Sequence, residues 1–200
     1  MNGSIEILDH FSSPDLSVTI AGVACDRLRP GNGGLRLMAY PDEGAALAEA
    51  HVLASCMDVK HAIYNTGFAG IKVVARAADL EGCKPKLLSV VAEMLNARGG
   101  SLYTGCDLNI SLDDVAALKR RTPYVLAALG SPVNPSAATG HGVASSFEAA
   151  LRVLPLAGAP KARTVLVHGV GAVGRTVARR LVGLGLEVFT CDRRPERAAL

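Results

Sequence analysis

"RTVLVHGVGAVGRTVARRLVGLGLEVFTCD", residues 163–192, is the stretch of this 200-residue chain that decides its fold class. The segment contains, in order, an apolar strand, a glycine loop, an amphipathic helix and a second apolar strand. That order is typical of a βαβ unit, in which a helix joins two parallel strands. The sequence therefore predicts an α/β protein that contains a parallel sheet.

The loop between strand and helix has the pattern G-x-G-x-x-G, formed by Gly169, Gly171 and Gly174. In such a loop the first glycine permits a tight turn, the second lets the backbone approach a pyrophosphate, and the third lets helix and strand pack closely. Ala172 and Val173 complete the loop at the start of the helix, where unpaired N–H groups face the phosphates. The motif in this context predicts the start of a Rossmann dinucleotide-binding domain.

Asp192 ends the second strand, eighteen residues after Gly174. A carboxylate at this place accepts hydrogen bonds from the adenosine ribose and repels a 2′-phosphate, so NAD is predicted in preference to NADP. Arg193 and Arg194 weaken this preference because guanidinium groups bind phosphate. The alternative interpretation is that both arginines belong to a solvated surface turn.

Strand and helix patterns also alternate before this segment. The predicted strands cover residues 17–25, 33–40, 71–77 and 101–107, and the predicted helices cover residues 41–62, 84–100 and 111–121.

Two helix starts carry capping signals. Ser111 is the predicted N-cap of the third helix, and Asp114 completes a capping box. A Pro- and Gly-containing linker at 130–136 precedes a long helix at 137–154, for which Ser136 is the predicted N-cap. We therefore place the domain boundary near residue 134, between residues 1–134 and the dinucleotide domain of residues 135–200.

Composition argues against several classes of function. The net charge is +3 and only 4% of the residues are aromatic, which does not indicate a nucleic-acid partner. No apolar run reaches the roughly 18 residues of a membrane span, and acidic residues stand where a secretion signal is basic. The five cysteines have no metal-binding spacing, so we predict reduced thiols, no metal site and a cytoplasmic location.

Three charged residues form a candidate site in the first domain. Lys60 lies near the end of a predicted helix, Lys72 at the start of a predicted strand, and Asp107 at the end of another strand. If these strands end at one edge of a sheet, the three groups share a crevice opposite the dinucleotide. Taken singly, each lysine is expected to extend its charge into solvent, and His61 is expected to be a surface residue at the helix end.

The order of motifs along the chain resembles a known family. The motifs are "NGGLR" (32–36), "MDVKHA" (57–62), "GFAGIK" (67–72), "LYTGCDLNIS" (102–111), "VNPSAATGHGV" (133–143) and "VHGVGAVG" (167–174). This order is similar to the glutamate/leucine/phenylalanine/valine dehydrogenases, which are NAD(P)-dependent amino-acid dehydrogenases, and most of all to their leucine, valine and tryptophan branch. The resemblance extends from about residue 20 to residue 200 and includes the spacing of the two lysines and the aspartate.

The resemblance implies a reaction and a role for each residue. The protein would convert an L-amino acid to a 2-oxo acid and ammonia with NAD, or run the reverse reaction. Lys60 would bind the substrate α-carboxylate, Lys72 would be the catalytic lysine, and Asp107 would exchange protons with the amine. Gly33 would line the substrate site, and Thr139 would lie near the nicotinamide. The cation Lys60 is expected to lower the pKa of Lys72 toward working pH.

The resemblance also implies that residues 1–134 bind the substrate and form a homo-oligomer, a dimer or larger. Some residues depart from the family pattern. Ala69 and Ile71 stand in a usual run of glycines, and Ile71 is expected to crowd the site. Asn32 stands where an apolar pocket residue is usual, which leaves open an unusual amino-acid substrate. Gly105 is expected to leave that part of the substrate pocket open for a larger side chain.

The chain also ends just after the second strand of the dinucleotide fold. We therefore expect either a piece of a longer protein or a remnant that does not catalyse unaided, because two parallel strands alone are marginally stable. The alternative function is a non-catalytic or assembly subunit derived from an amino-acid dehydrogenase, with an exposed sheet edge available for pairing.

Overall fold

A computed structural model describes residues 4–154 and 164–198. The chain divides into two compact units, Met1–Leu129 (unit 1) and Gly130–Leu200 (unit 2). This division precedes the boundary expected near residue 134, because the linker groups with the helix that follows it. No helix in the described ranges has both the length and the hydropathy needed to cross a membrane.

Unit 1 is built on a five-stranded mixed sheet. Its strands are β1 (Glu6–Ser12), β2 (Ser17–Gly22), β3 (Gly31–Met38), β4 (Ala69–Arg76) and β5 (Leu102–Cys106). They lie in the order β1-β2-β4-β3-β5, with β2 antiparallel to β1 and β4, and with β3 parallel to β4 and β5. The parallel strands place the segment after β5 at the same edge as the ends of β3 and β4. Strand β1 was not predicted from the sequence.

Three helices cover the two faces of this sheet. They are α1 (Glu43–Tyr64), α2 (Lys84–Ala97) and α3 (Leu112–Lys119). On one face, Leu35 and Ile71 pack with α2 and α3 in the larger core. On the other face, α1 buries Ala46, Ala50 and Ala54 against the sheet. These small residues recur every four positions, so they form one stripe of the helix and allow its close approach.

The helix caps confirm one prediction and correct another. Ser111 Oγ accepts from the Asp114 backbone N–H at 3.1 Å, and the Asp114 carboxylate accepts from the Ser111 backbone N–H at 2.8 Å, which confirms the capping box. The prediction of Ser136 as an N-cap was wrong, because Asn134 caps that helix and accepts from the Ala137 N–H at 3.0 Å. A proline at the first helical position explains the earlier start, since its φ is already helical.

Unit 2 contains the predicted βαβ element. Its elements are α4 (Pro135–Val153), β6 (Thr164–His168), α5 (Ala172–Gly183), β7 (Glu187–Cys191) and α6 (Pro195–Ala198). The strands β6 and β7 pair in parallel, and Val167, Ala178 and Leu181 are buried between strand and helix. Leu166 and Phe189 are paired across the two strands but are 63% and 54% exposed. The α/β class is confirmed, and the small sheet carries one exposed apolar pair.

Candidate active site and dinucleotide loop

Lys72 and Asp107 form an ion pair at the sheet of unit 1. Lys72 lies on β4 and is only 6% exposed, while Asp107 directly follows β5. The Lys72 Nζ atom donates to Asp107 Oδ2 at 2.5 Å, across 35 positions of sequence. A lysine buried to this degree is rare unless a carboxylate pairs with it. The structure therefore brings together two of the three charged residues selected from the sequence.

Burial lowers the pKa of Lys72 below the ordinary lysine value, because the charged form loses its hydration. The hydrogen bond and the charge of Asp107 raise the pKa, whereas the positive charges of Arg36 and Lys60 lower it further. The direction agrees with the expectation from the sequence. However, Lys60 contributes least among these causes, since it is an exposed residue of α1.

Burial raises the pKa of Asp107, but hydrogen bonds from Lys72 and Arg36 outweigh it and hold that pKa below the ordinary aspartate value. The carboxylate is therefore ionised at neutral pH. Its Oδ2 atom accepts from Lys72 Nζ and also from Arg36 Nε at 2.9 Å. Two cations thus converge on one carboxylate oxygen.

Arg36 is a member of this cluster that the sequence analysis did not select. It lies on β3, and its Nη1 atom donates to Glu49 Oε1 of α1 at 2.7 Å. The motif "NGGLR" contained the signal, because positions 32, 34 and 36 of a strand share one face. Glu49 carried no comparable signal, since an acidic residue in a long helix is usually solvated.

The glycines of β3 and β5 have three different surroundings. A Cβ atom at Gly34 would lie 2.9 Å from Asp107 Cβ and 3.3 Å from Lys72 Nζ, so Gly34 adjoins the ion pair. A Cβ atom at Gly33 would lie 1.8 Å from the Ile71 carbonyl oxygen, so Gly33 allows β3 and β4 to approach. At Gly105 the same atom would lie 2.5 Å from the Leu126 carbonyl oxygen. The backbone at Leu126 therefore packs against Gly105, and the open space that we expected there is absent.

His61 is buried at 7% exposure, so its assignment to the surface was wrong. Its Nε2 atom lies 3.0 Å from the Asn32 carbonyl oxygen, and its Nδ1 atom lies 2.7 Å from Thr66 Oγ1. A carbonyl oxygen can only accept, so Nε2 carries a proton and donates it to the Asn32 backbone, while Nδ1 pairs with the threonine hydroxyl. His61 thereby fixes Asn32 to α1.

The side chain of Ile71 does not crowd the ion pair, contrary to expectation. Alternate residues of a strand point to opposite faces. Ile71 is fully buried in the larger core with Val73, whereas Lys72 lies on the face covered by α1. The substitution in "GFAGIK" therefore changes the core and not the face that carries Lys72.

The glycine loop of unit 2 has the backbone geometry that its motif predicts. Gly169 has φ +92°, a conformation that side chains disfavour, and directly follows β6. Gly171 is the N-cap of α5, and a Cβ atom there would meet nothing within 4 Å. A ligand can therefore approach the backbone at Gly171. A Cβ atom at Gly174 would lie 1.9 Å from the Gly169 carbonyl oxygen. Ala172 and Val173 begin α5 as expected.

Asp192 braces this loop. Its Oδ2 atom accepts from the Val170 N–H at 2.8 Å, and its Oδ1 atom accepts from the Arg194 N–H at 2.9 Å. These backbone hydrogen bonds lower the pKa of Asp192. A cavity of about 430 Å³ adjoins the carboxylate and is lined by His168, Gly169, Gly171, Asp192, Arg193, Arg194 and Arg197. Both the loop and the acid chosen from the sequence therefore line one cavity.

Thr139 lies in the first half of α4 and is exposed. Its hydroxyl donates to the Pro135 carbonyl oxygen at 2.9 Å. Across residues 4–154 and 164–198, no group of three or more His, Cys, Asp or Glu side chains is arranged to hold a metal ion.

Comparison with known proteins shows that the chain is similar to amino-acid dehydrogenases. L-tryptophan dehydrogenase of Nostoc punctiforme is 31% identical over 189 residues, which cover 94% of this chain and 53% of that protein. Leucine dehydrogenase of Bacillus subtilis is 27% identical over 168 residues, which cover 82% of this chain and 46% of that protein. The homologues of this chain are the amino-acid dehydrogenases of the Glu/Leu/Phe/Val family. No family model matches the chain.

Solved structures agree with this kinship to the Glu/Leu/Phe/Val dehydrogenases. The crystal structure of the Nostoc punctiforme L-tryptophan dehydrogenase matches with a TM-score of 0.68 at 29% identity, over 96% of this chain and 54% of that chain. The hetero-hexameric glutamate dehydrogenase of Thermus thermophilus shares the fold, with a TM-score of 0.68 at 24% identity over 89% of this chain and 45% of that chain. The chain thus spans about half the length of the dehydrogenases it matches.

Proposed function

We propose that the protein, at its full natural length, is an NAD-dependent dehydrogenase of L-amino acids that forms a 2-oxo acid and ammonia, or runs the reverse reductive amination. The observation that carries the proposal is the buried Lys72–Asp107 pair, with Gly34 beside it, in a homologue of amino-acid dehydrogenases. A buried lysine with a lowered pKa in an ion pair is a recurrent feature of sites that move protons.

Each charged residue has a role in this proposal. Lys60, exposed on α1, binds the substrate α-carboxylate, and Asp107 exchanges a proton with the substrate amine. Loss of hydride from the α-carbon leaves an imine, to which water adds before ammonia departs. Lys72 accepts the proton of that water, because its lowered pKa makes the neutral amine more accessible. A bound nicotinamide would supply the hydride acceptor.

The residues around the glycine loop fit a dinucleotide. Gly171 leaves the approach to the α5 N-terminus open, and Asp192 borders a cavity of about 430 Å³. Each Asp192 oxygen accepts one backbone N–H and keeps a second lone pair for a ribose hydroxyl. We therefore propose NAD as the preferred cofactor. Arg193 and Arg194 line the same cavity and would favour a 2′-phosphate, so NADP is the competing outcome.

Two measurements on the full-length protein test this function. The first follows absorbance of reduced nicotinamide with aliphatic, aromatic and polar L-amino acids; the absence of turnover with all of them contradicts the proposal. The second is a calorimetric titration with NAD and with NADP, which measures binding without catalysis. Tighter binding of NADP contradicts the cofactor preference alone.

An assembly subunit without catalysis is the second candidate. It is favoured by the exposed apolar pair Leu166 and Phe189, which is available for contact with another chain. A homo-oligomer, a dimer or larger, is proposed under either function, since β1 lies at an edge of its sheet. Cofactor binding with turnover excludes the assembly role, and analytical ultracentrifugation measures the oligomer.

We also propose a cytoplasmic location. All five cysteines are free in the structure, as expected for a protein of a reducing compartment. Fractionation of cells with an antibody to the protein tests this location, and recovery in an exported fraction contradicts it.

A further inference from the structure

The two oxygens of the Asp107 carboxylate have different environments. Its Oδ2 atom accepts from Lys72 Nζ at 2.5 Å and from Arg36 Nε at 2.9 Å. Its Oδ1 atom accepts no hydrogen bond from the residues that the structure describes. Because both cations bind one oxygen, the other oxygen is left to interact with a ligand.

Arg36 is itself held in place by a second carboxylate, that of Glu49. Its Nη1 atom donates to Glu49 Oε1 at 2.7 Å, while its Nε atom donates to Asp107 Oδ2. A guanidinium group is planar, so the directions of these two donors are fixed relative to one another. The contact with Glu49 on α1 therefore limits where Arg36 can place the Asp107 carboxylate.

We propose that Arg36, anchored by Glu49, is a positioning residue that holds Asp107 Oδ2 against Lys72 and keeps Oδ1 free for the proton of the substrate amine. The proposal rests on the proposed dehydrogenase function. In this role Arg36 acts through Asp107 and does not contact the substrate. Its guanidinium also shares the negative charge of Asp107, so that Lys72 is bound less tightly to the carboxylate than in an isolated pair.

Several titratable groups surround the pair, and each affects the expected pH response. Arg36 and Lys60 lower the pKa of Lys72 after burial, while Asp107 raises it. Burial and the charge of Glu49 raise the pKa of Tyr40, so this phenol stays neutral beside Arg36. Loss of the Arg36 charge is therefore expected to raise the pKa of Lys72 and also that of Asp107.

The test uses Arg36→Met, Arg36→Lys and Glu49→Ala in the full-length protein. The pKa of Lys72 is measured by heteronuclear NMR of protein labelled at lysine Cε, with its signal assigned by loss in Lys72→Met. We expect a raised Lys72 pKa in Arg36→Met, and a fall in kcat of about 100-fold, the loss typical of a misplacement of about 1 Å, with little change in amino-acid KM. Glu49→Ala keeps the Arg36 charge, so we expect a smaller fall in kcat without a rise in the Lys72 pKa.

Arg36→Lys keeps the charge but not the planar fork, so it should restore the Lys72 pKa and only part of kcat. Arg76→Met is the matched control, because Arg76 lies on β4 and donates to the Tyr40 carbonyl oxygen rather than to Asp107. A folded Arg36→Met protein with the native Lys72 pKa overturns the inference, as does an equal rise in Arg76→Met. If Arg36→Met does not fold, the kcat values of Arg36→Lys and Glu49→Ala test the positioning role of Arg36 instead. If no amino acid is turned over, the proposed function fails while the NMR titration still tests the position of Arg36.

Discussion

The Lys72–Asp107 site of unit 1 is held by side-chain charges, whereas the glycine loop of unit 2 depends mainly on the conformation of its backbone. In unit 1, Lys72, Asp107 and Arg36 come from three different strands or strand ends and meet within hydrogen-bond distance. In unit 2, the loop depends on the positive φ of Gly169 and on the close approach of Gly174. The first site should therefore respond to charge and pH, and the second to added volume.

Removal of the Lys72 amine should have the largest effect. In the full-length protein, Lys72→Met is expected to lower kcat by about a thousandfold, within the range for loss of a general acid–base group. NAD affinity should be unchanged, because the glycine loop lies in the other unit. Steady-state kinetics and calorimetry measure the two quantities. Lys119→Met, at an exposed residue, is the control, and equal losses in both variants would contradict a catalytic role for Lys72.

Added volume in the glycine loop should weaken NAD binding and leave the Lys72 site unchanged. In Gly174→Ala the new Cβ atom would lie 1.9 Å from the Gly169 carbonyl oxygen. We expect a loss of about 1–3 kcal/mol in the free energy of unfolding from overpacking, together with weaker NAD binding and an unchanged pKa of Lys72. Calorimetric titration and denaturant unfolding provide the measurements.

Gly183→Ala is the matched control for this loop variant. Gly183 ends α5, and a Cβ atom there would meet nothing within 4 Å. Its replacement should leave binding intact and be neutral or slightly stabilising, because alanine has the higher helix propensity. Equal loss of NAD binding in both variants would contradict the role given to the loop.

Acid should reveal the charge-based character of unit 1. The pKa of Asp107 is raised by burial but held below the ordinary 3.8 by hydrogen bonds from Lys72 and Arg36. The stabilisation is therefore complete above the unfolded pKa and is lost as pH falls through the lower folded pKa. The effect should be smaller than either substitution, since the Asp107 side chain is 25% exposed and water screens it.

Denaturant unfolding across an acidic pH series measures this contribution. In Asp107→Asn the acidic loss of stability should be shallower than in the native protein. The exposed Glu93→Gln serves as control and should retain the native slope. An unchanged slope in Asp107→Asn would show that the ion pair does not contribute to folding.

The same contrast explains how far the sequence predicts this molecule. The βαβ unit and its loop were recognisable because their geometry depends on local residues, such as Gly169 and Gly174, that follow one another closely. The unit 1 cluster joins residues as far apart as Arg36 and Asp107, 71 positions along the chain. The positions at strand ends and the family resemblance selected Lys72 and Asp107, but neither indicated Arg36.

The errors also have physical causes. His61 was assigned to the surface because it stands beside Lys60 near the end of a predicted helix, but its two ring nitrogens bond to Thr66 and to the Asn32 backbone carbonyl oxygen. Strand parity would have placed Ile71 on the face opposite Lys72, and an Asn-Pro pair at residues 134 and 135 indicates the earlier helix start. These signals were present in the sequence, whereas the packing of Leu126 against Gly105 was not.

The smallest expected change is in substrate preference, and it concerns Asn32 on β3. Asn32 lies two positions before Gly34 on the same face of this strand, and His61 holds its carbonyl. We expect Asn32→Leu to increase the kcat/KM ratio of leucine to polar amino acids by about tenfold, the lower end of what an apolar pocket discriminates. Asn96→Leu, on the exposed surface of α2, should leave the ratio unchanged. Because Lys72 and Asp107 are untouched, the pH profile should stay native in both variants. An unchanged ratio in Asn32→Leu would remove Asn32 from the substrate pocket and confine the substrate-facing surface of β3 to Gly34.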